Sequence, residues 1–262
     1  MITEITLDRL SEILEGQKRK NSLLLARLVS NARCFLPHNL CTLYEVSKKD
    51  KPVGLICLYG GNLTAHFFNR PDLNELVSFL NFKGSAARFL EADKSVVRRL
   101  LKKYGGEAAF GSAFVLKRAP KCAENEFKVS ENSDVRSFFS TLKSANSAYK
   151  DTAFESYYCD CFYRKNPPAR LFTINAGGKE IGTAAVLHFF EKNAIISDVS
   201  VHPDFRRLGA GSQLVSEVCK ALQDSGYIPS LLCTSTSAAR LYKKIGFCEK
   251  GRFGLLLLKE DA

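Results

Sequence analysis

The segment that most constrains the fold of this chain runs from residue 195 to residue 222. It begins with IISDVSV, a β-branched pattern that predicts a strand, and His202-Pro203-Asp204 then breaks the pattern. Apolar residues recur at helical spacing after Gly211, so a helix follows the loop. The loop reads Arg206-x-x-Gly209-x-Gly211. Its glycines allow a close backbone approach, and the start of the helix leaves amide donors unpaired. Such a turn is suited to binding phosphate.

A second motif lies downstream and reads Ala238-x-x-Leu241-Tyr242-x-x-x-Gly246-Phe247. The two motifs together resemble those of the GNAT acyltransferase superfamily. In that family the first motif is the pyrophosphate loop for acetyl-CoA, and the second carries a tyrosine near the CoA sulfur. The first motif alone also fits a nucleotide-binding loop or a structural loop, whereas both motifs in this order favour GNAT. The resemblance implies an acyltransferase with acetyl-CoA as its cosubstrate.

The order of predicted elements indicates that this fold occurs twice. Helical patterns separate or precede the strands of the first half, which are predicted at 41–46, 53–59, 62–68, 85–91 and 108–117. After a polar connector at 118–125, a similar series follows and ends in a long strand at 247–258. We therefore expect an α/β (α+β) fold of two tandem GNAT-like domains, 1–120 and 121–262. Each would be a mixed, mainly antiparallel sheet flanked by helices.

The first copy lacks the features expected of a CoA site. Its third strand is followed by Phe67-Phe-Asn-Arg-Pro71, with no Gly-x-Gly turn. Its last helix is followed by Tyr104-Gly105-Gly106 in place of the tyrosine motif. We therefore expect a degenerate N-terminal domain and a CoA site that lies wholly in the second half.

Composition excludes several classes of protein. The 262 residues are 45% hydrophobic and 25% charged, which is typical of soluble globular proteins with two domains. No apolar run is long enough to span a membrane and no signal peptide is evident, so we expect a cytoplasmic protein without membrane association. The nine cysteines include no Cys-x-x-Cys pair, which favours reduced thiols and no metal. The basic residues that give a net charge of +11 are dispersed, so nucleic acid is not expected as a partner.

The resemblance assigns cofactor-binding residues only where this sequence matches the family. Val199 and Val201 would pair their backbone groups with the pantetheine amides. The pyrophosphate would be surrounded, mainly by backbone N–H groups, by Arg206, Arg207, Leu208, Gly209, Ala210, Gly211 and Ser212. Ser235 stands where many relatives have an asparagine, and it would either bond the cofactor or cap the next helix.

Catalytic residues are less constrained. Tyr242 is the candidate proton donor to the departing CoA thiolate, and its alternative is a packing tyrosine with a solvated hydroxyl. Asp198 is the first candidate for the general base because it lies on the cofactor strand. His188, His202 and a water chain are the alternatives for that base.

The function implied is an acetyl-CoA-dependent N-acetyltransferase. Its acceptor would be the primary amine of a small molecule, an amino acid or a peptide. A non-catalytic acyl-CoA-binding GNAT-like module is the alternative. The basic first half is the one feature that favours a third hypothesis, a nucleic-acid-associated enzyme.

Overall fold

In the computed structural model, which describes residues 1–17, 22–83, 86–121 and 126–258, the chain divides into two compact units. The first comprises Met1–Ala113 and Gly251–Ala262, and the second comprises Phe114–Lys250. Both combine a sheet with helices, which confirms the predicted fold class. Part of the predicted connector, 122–125, and the start of the strand predicted at 85–91 lie outside the described residues.

The first unit contains the N-terminal run of elements and the last strand of the chain. These elements are β1 (Ile2–Glu4), α1 (Leu7–Gly16), α2 (Leu23–Phe35), β2 (Cys41–Lys48), β3 (Lys51–Tyr59), β4 (Asn62–Phe67), α3 (Leu73–Lys83), β5 (Phe89–Asp93), α4 (Lys94–Tyr104), β6 (Ala108–Val115) as far as Ala113, and β12 (Cys248–Leu257) from Gly251. Their sheet order is β1-β2-β3-β4-β5-β12-β6. The strands β2, β3 and β4 form the predicted meander, and β4 pairs with β5 in parallel. The sequence does not predict β1, because three residues carry too little periodicity.

The C-terminal strand completes the first unit. Residues 253–257 of β12 pair antiparallel with 93–89 of β5, and Leu256 is fully buried in the first unit's core. A β-carbon on Gly254 would lie 2.8 Å from Cγ1 of Val97, so glycine allows α4 to pack closely on this strand. The sequence analysis assigned all of 121–262 to the second domain, whereas the compact units place the residues from Gly251 onward with the first. The functional division at residue 120 stays a prediction.

The second unit repeats the strand and helix order of the first. Its elements are β7 (Lys128–Glu131), α5 (Val135–Ala145), α6 (Phe154–Phe162), β8 (Arg170–Ala176), β9 (Lys179–Phe190), β10 (Asn193–Val201), α7 (Ala210–Asp224), β11 (Ile228–Cys233) and α8 (Thr236–Ile245). The sheet order is β7-β8-β9-β10-β11, in which β10 and β11 are parallel and the other pairs are antiparallel. The residues that follow β6 also belong here, since the amide of Leu116 donates to the carbonyl of Pro229.

Two apolar clusters stabilise the second unit. One packs α7 and α8 with β10 and β11, and it includes the fully buried Leu214 and Val218. The other packs α5 and α6 with β8 and β9, and it includes Phe138 and Tyr157. None of the helices in the described part of the chain is long and apolar enough to cross a membrane.

Candidate active site

Strand β10 loses its pairing with β11 before it reaches the loop, while its pairing with β9 continues. Its parallel pairing with β11 covers Asn193–Ile196, whereas its pairing with β9 continues as far as Val201, opposite Gly182. A register shift interrupts the β9 pairing between Ser197 and Ser200. The predicted cofactor residues Val199 and Val201 thus lie on the part of β10 that follows its pairing with β11. Backbone groups at such a divergence can bond to a ligand.

The loop after β10 ends at the N-terminus of α7, the longest helix of the second unit. Gly209 is the N-cap residue and has a φ of 91°, a conformation that glycine adopts without steric cost. Gly209 has no side chain that could cap the helix, and the first amides of a helix have no acceptor within the helix. Arg207 and Leu208 next to it are exposed. Unpaired donors, the helix dipole and a cation combine here in the way that a phosphate requires.

The two sequence motifs meet at Gly211. A β-carbon built on this residue would lie 3.6 Å from Cδ2 of Leu241 on α8 and 3.7 Å from Cγ2 of Val201 on β10. Helix α8 begins at its N-cap Ser235, whose Oγ accepts from the amide of Ala238 at 3.3 Å. The structure therefore shows Ser235 in the capping role that the sequence left open.

The two arginines of the loop differ in their surroundings. Arg206 donates from Nε to the carbonyl of Val201 at 2.9 Å and from Nη2 to the carbonyl of Ala145 at 3.0 Å. Ala145 is the last residue of α5, where a cation is favourable to the helix dipole. Arg206 therefore ties the loop to the end of β10 and to α5, whereas the exposed Arg207 is available to a bound phosphate.

The corresponding turn of the first unit is built differently. Pro71, which has no N–H, and Asp72 lie between β4 and α3. The Asp72 carboxylate accepts from the amides of Asn74 at 2.8 Å and Glu75 at 3.4 Å, and these bonds lower the pKa of Asp72. The start of α3 is thus already capped by a carboxylate of the chain itself.

Tyr242 lies directly after Leu241 on α8 and is 7% exposed. Its ring packs against Phe114 and Phe247, with centroid distances of 6.3 Å and 5.8 Å. Burial raises the pKa of its phenol well above the usual value, and the neighbouring Cys233 adds to this effect.

Asp198 lies within the irregular part of β10 and is held by two tyrosines. Its backbone has a φ of 52°, which is uncommon outside glycine, and its carbonyl accepts from Oγ1 of Thr183 at 3.0 Å. The Tyr149 hydroxyl donates to one carboxylate oxygen, and the Tyr157 hydroxyl donates to the other at 2.8 Å. We call Tyr149, Tyr157 and Asp198 the tyrosine clamp. The sequence pattern does not connect these tyrosines to Asp198, because a strand bulge cannot be read from the pattern.

The tyrosines are themselves positioned by neighbours. Tyr157 stacks on Phe138 and Phe139, with centroid distances of 5.9 Å and 5.0 Å. Burial, followed by the Asp198 charge, raises the pKa of Tyr157. The Asn146 side-chain amide donates to Oγ of Ser200 at 3.3 Å. Its Oδ1 accepts from the backbone amide of Ala148, within the turn Ser147–Tyr149.

The histidine alternatives for the general base lie elsewhere on the strands. His188 is buried in β9 opposite Ile195, and Nδ1 of His202 lies 3.4 Å from the exposed Asp204. Among the described residues, no group of three or more His, Cys, Asp or Glu side chains is arranged to hold a metal ion.

The second half of the chain matches the model of a known protein family. Residues 135–247 match the model of the acetyltransferase (GNAT) family. No curated protein matches the chain. Solved structures do, at low identity. A Drosophila protein is 14% identical, with a TM-score of 0.69 over 99% of this chain and 99% of that one. A GNAT-family acetyltransferase from Colwellia psychrerythraea is 15% identical, with a TM-score of 0.62 over 99% and 100%. A tandem GNAT protein from the clavulanic acid biosynthesis pathway is 12% identical, with a TM-score of 0.60 over 100% and 99%.

These findings confirm the resemblance that the two motifs indicated. The matched residues contain Asp198, the loop at 206–212 and Tyr242, and the similarity of fold to a tandem GNAT protein extends over the whole chain. Residues 135–247 are therefore similar to the GNAT acetyltransferase family, in a chain with a tandem GNAT fold whose first copy is degenerate.

Proposed function

We propose that this chain is an acetyl-CoA-dependent N-acetyltransferase. It binds acetyl-CoA in the second unit and transfers the acetyl group to the primary amine of a small molecule, an amino acid or a peptide. The observation that carries the proposal is the meeting of β10, the start of α7 and α8 at Gly211. The helix start that we propose to bind phosphate is thus next to α8, the helix that carries Tyr242.

The residues of this region fit acetyl-CoA, which supplies an activated acetyl thioester. Gly209 and Gly211 have no side chain to block a phosphate at the start of α7, and the exposed Arg207 supplies positive charge. Leu208, Ala210 and Ser212 contribute backbone amides in the same turn. Val199 and Val201 offer backbone groups to the pantetheine arm. Ser235 is also assigned to the cofactor site, and its hydroxyl caps helix α8.

Two side chains carry the proposed chemistry. Tyr242 carries a phenol proton at neutral pH, as an ordinary tyrosine does, and it donates this proton to the leaving thiolate. Asp198 supplies a carboxylate on the same strand as the cofactor residues, and as general base it accepts the proton that the acceptor amine loses when its nitrogen attacks the thioester carbonyl. The first unit takes no part in CoA binding, since Asp72 occupies the start of α3.

The test is turnover. Purified protein is incubated with acetyl-CoA and a library of primary amines, and the release of free thiol is followed together with the mass of any acetylated amine. A Gly211→Leu variant with an unchanged melting temperature serves as the control and should release far less thiol. Tight acetyl-CoA binding without thiol release from any amine would contradict turnover and favour a binding module.

A further inference from the structure

The tyrosine clamp packs with α5 and α6, outside the apolar cluster that contains the start of α7. We propose that Tyr149 and Tyr157 are positioning residues that hold the Asp198 carboxylate to bind the ammonium group of the acceptor. This inference rests on the proposed function and narrows its acceptor. The clamp selects a protonated primary amine that has no carboxylate on the adjacent carbon.

The Asp198 carboxylate is held in one orientation. Each of its oxygens receives one phenol hydroxyl, so rotation of the group would break both hydrogen bonds. Tyr157 is 5% exposed and stacked between aromatic rings, and therefore provides a rigid donor. Asp198 also keeps a left-handed backbone conformation that costs free energy, with its carbonyl held by Thr183. Strained residues held in this way are concentrated at functional sites.

The charge of Asp198 acts on the neighbouring side chains. The Tyr157 donor is neutral, because burial and the Asp198 charge raise its pKa. Burial, Asp160 and Asp198 likewise raise the pKa of the Cys161 thiol to about 12. The Asp198 charge therefore lies in a half-buried position, where an ion pair is stronger than in water.

The surroundings of Asp198 admit a small ligand and favour amines over free amino acids. Asp198 and Tyr149 are both half-buried, so a small ligand can approach them from solvent. A carboxylate can accept about four hydrogen bonds. The Tyr149 ring adds a face that attracts a cation. An α-carboxylate on the acceptor would meet the like charge of Asp198, which disfavours free amino acids relative to amines and peptide N-termini.

The experiment measures binding of three matched probes by ligand-observed NMR. The probes are n-butylamine, 1-butanol, which lacks the charge, and L-norvaline, which adds a carboxylate beside the amine. We expect the wild-type protein to bind the amine about tenfold or more tightly than either analogue. Asp198→Asn should abolish this preference. Tyr149→Phe and Tyr157→Phe should each weaken amine binding by about two- to tenfold, the effect of one hydrogen bond.

The controls separate positioning from folding. Tyr158→Phe, at an exposed tyrosine of α6, should bind the amine as the wild type does. Amine binding should also change the tyrosine ultraviolet difference spectrum of the wild type, and Tyr149→Phe should reduce that change. Calorimetric acetyl-CoA affinity should be the same in all the variants, which shows that each one folds.

Two results would overturn the inference: equal affinity of the wild type for the amine and the alcohol, or unchanged amine binding in Asp198→Asn. Either result, obtained with acetyl-CoA binding intact, leaves the proposed function standing. Failure of the wild type to bind acetyl-CoA would instead overturn the proposed function and leave the amine measurement unaffected.

Discussion

Replacing Gly182 by alanine tests how closely β9 and the irregular part of β10 pack. A β-carbon at residue 182 would lie 2.5 Å from the carbonyl oxygen of Ser200 and 3.0 Å from Cγ2 of Ile174. Carbon–oxygen contacts between strands are about 3.3 Å or longer, so the Ser200 carbonyl would have to move by about 0.8 Å. Overpacking costs about 1–3 kcal/mol, and a stiffer unfolded chain offsets about 0.4–1 kcal/mol of this. We therefore expect Gly182→Ala to lower the free energy of unfolding by about 1–2 kcal/mol.

The assay is denaturant unfolding followed by circular dichroism. Gly211→Ala is the matched control, because its β-carbon would make only ordinary contacts. It should be as stable as the wild type or more stable by up to about 1 kcal/mol, since alanine has the higher helix propensity. The shift of Ser200 should also displace Val201 and weaken acetyl-CoA binding of the Gly182 variant. A Gly182→Ala protein as stable as the wild type would refute the close approach of these strands.

Five further substitutions, at three places in the structure, test other features of the molecule. Tyr242→Phe should leave acetyl-CoA affinity unchanged and reduce kcat by about ten- to a thousandfold in steady-state assays; activity within about twofold of wild type would make the tyrosine a packing residue. Arg206→Gln should lower both the melting temperature and acetyl-CoA affinity, whereas Arg207→Gln should lower affinity alone; identical behaviour of the two variants would contradict their different contacts. Leu256→Ala should destabilise the first unit by about 2–5 kcal/mol, whereas the exposed Leu257→Ala should not, and proteolysis that maps unfolding elsewhere would contradict this.

The local elements of the active site could be predicted from the sequence because their signals are local. The β-branched run before residue 202, the glycines at 209 and 211 and the helical spacing after them each specify one element. The order of the two motifs then indicated the family. The helix start at Gly209 follows directly from these residues.

Features that depend on distant contacts could not be predicted. The strand pattern of 248–257 shows that a strand exists, but the pairing partner β5 lies far away in the sequence. The bulge at Asp198 changes which side chains face α5 and α6, and no residue pattern marks it. The two hydrogen bonds of Arg206 likewise depend on where the end of α5 lies.

The most direct test of the central claim is a calorimetric titration with acetyl-CoA. The account predicts that the wild-type chain binds a single molecule and that Gly211→Leu raises the dissociation constant by about tenfold or more, equivalent to about 1.4 kcal/mol. The variant should keep the wild-type melting temperature, so that the loss is one of binding. Two acetyl-CoA molecules bound per chain, or equal affinity in the variant, would contradict the account.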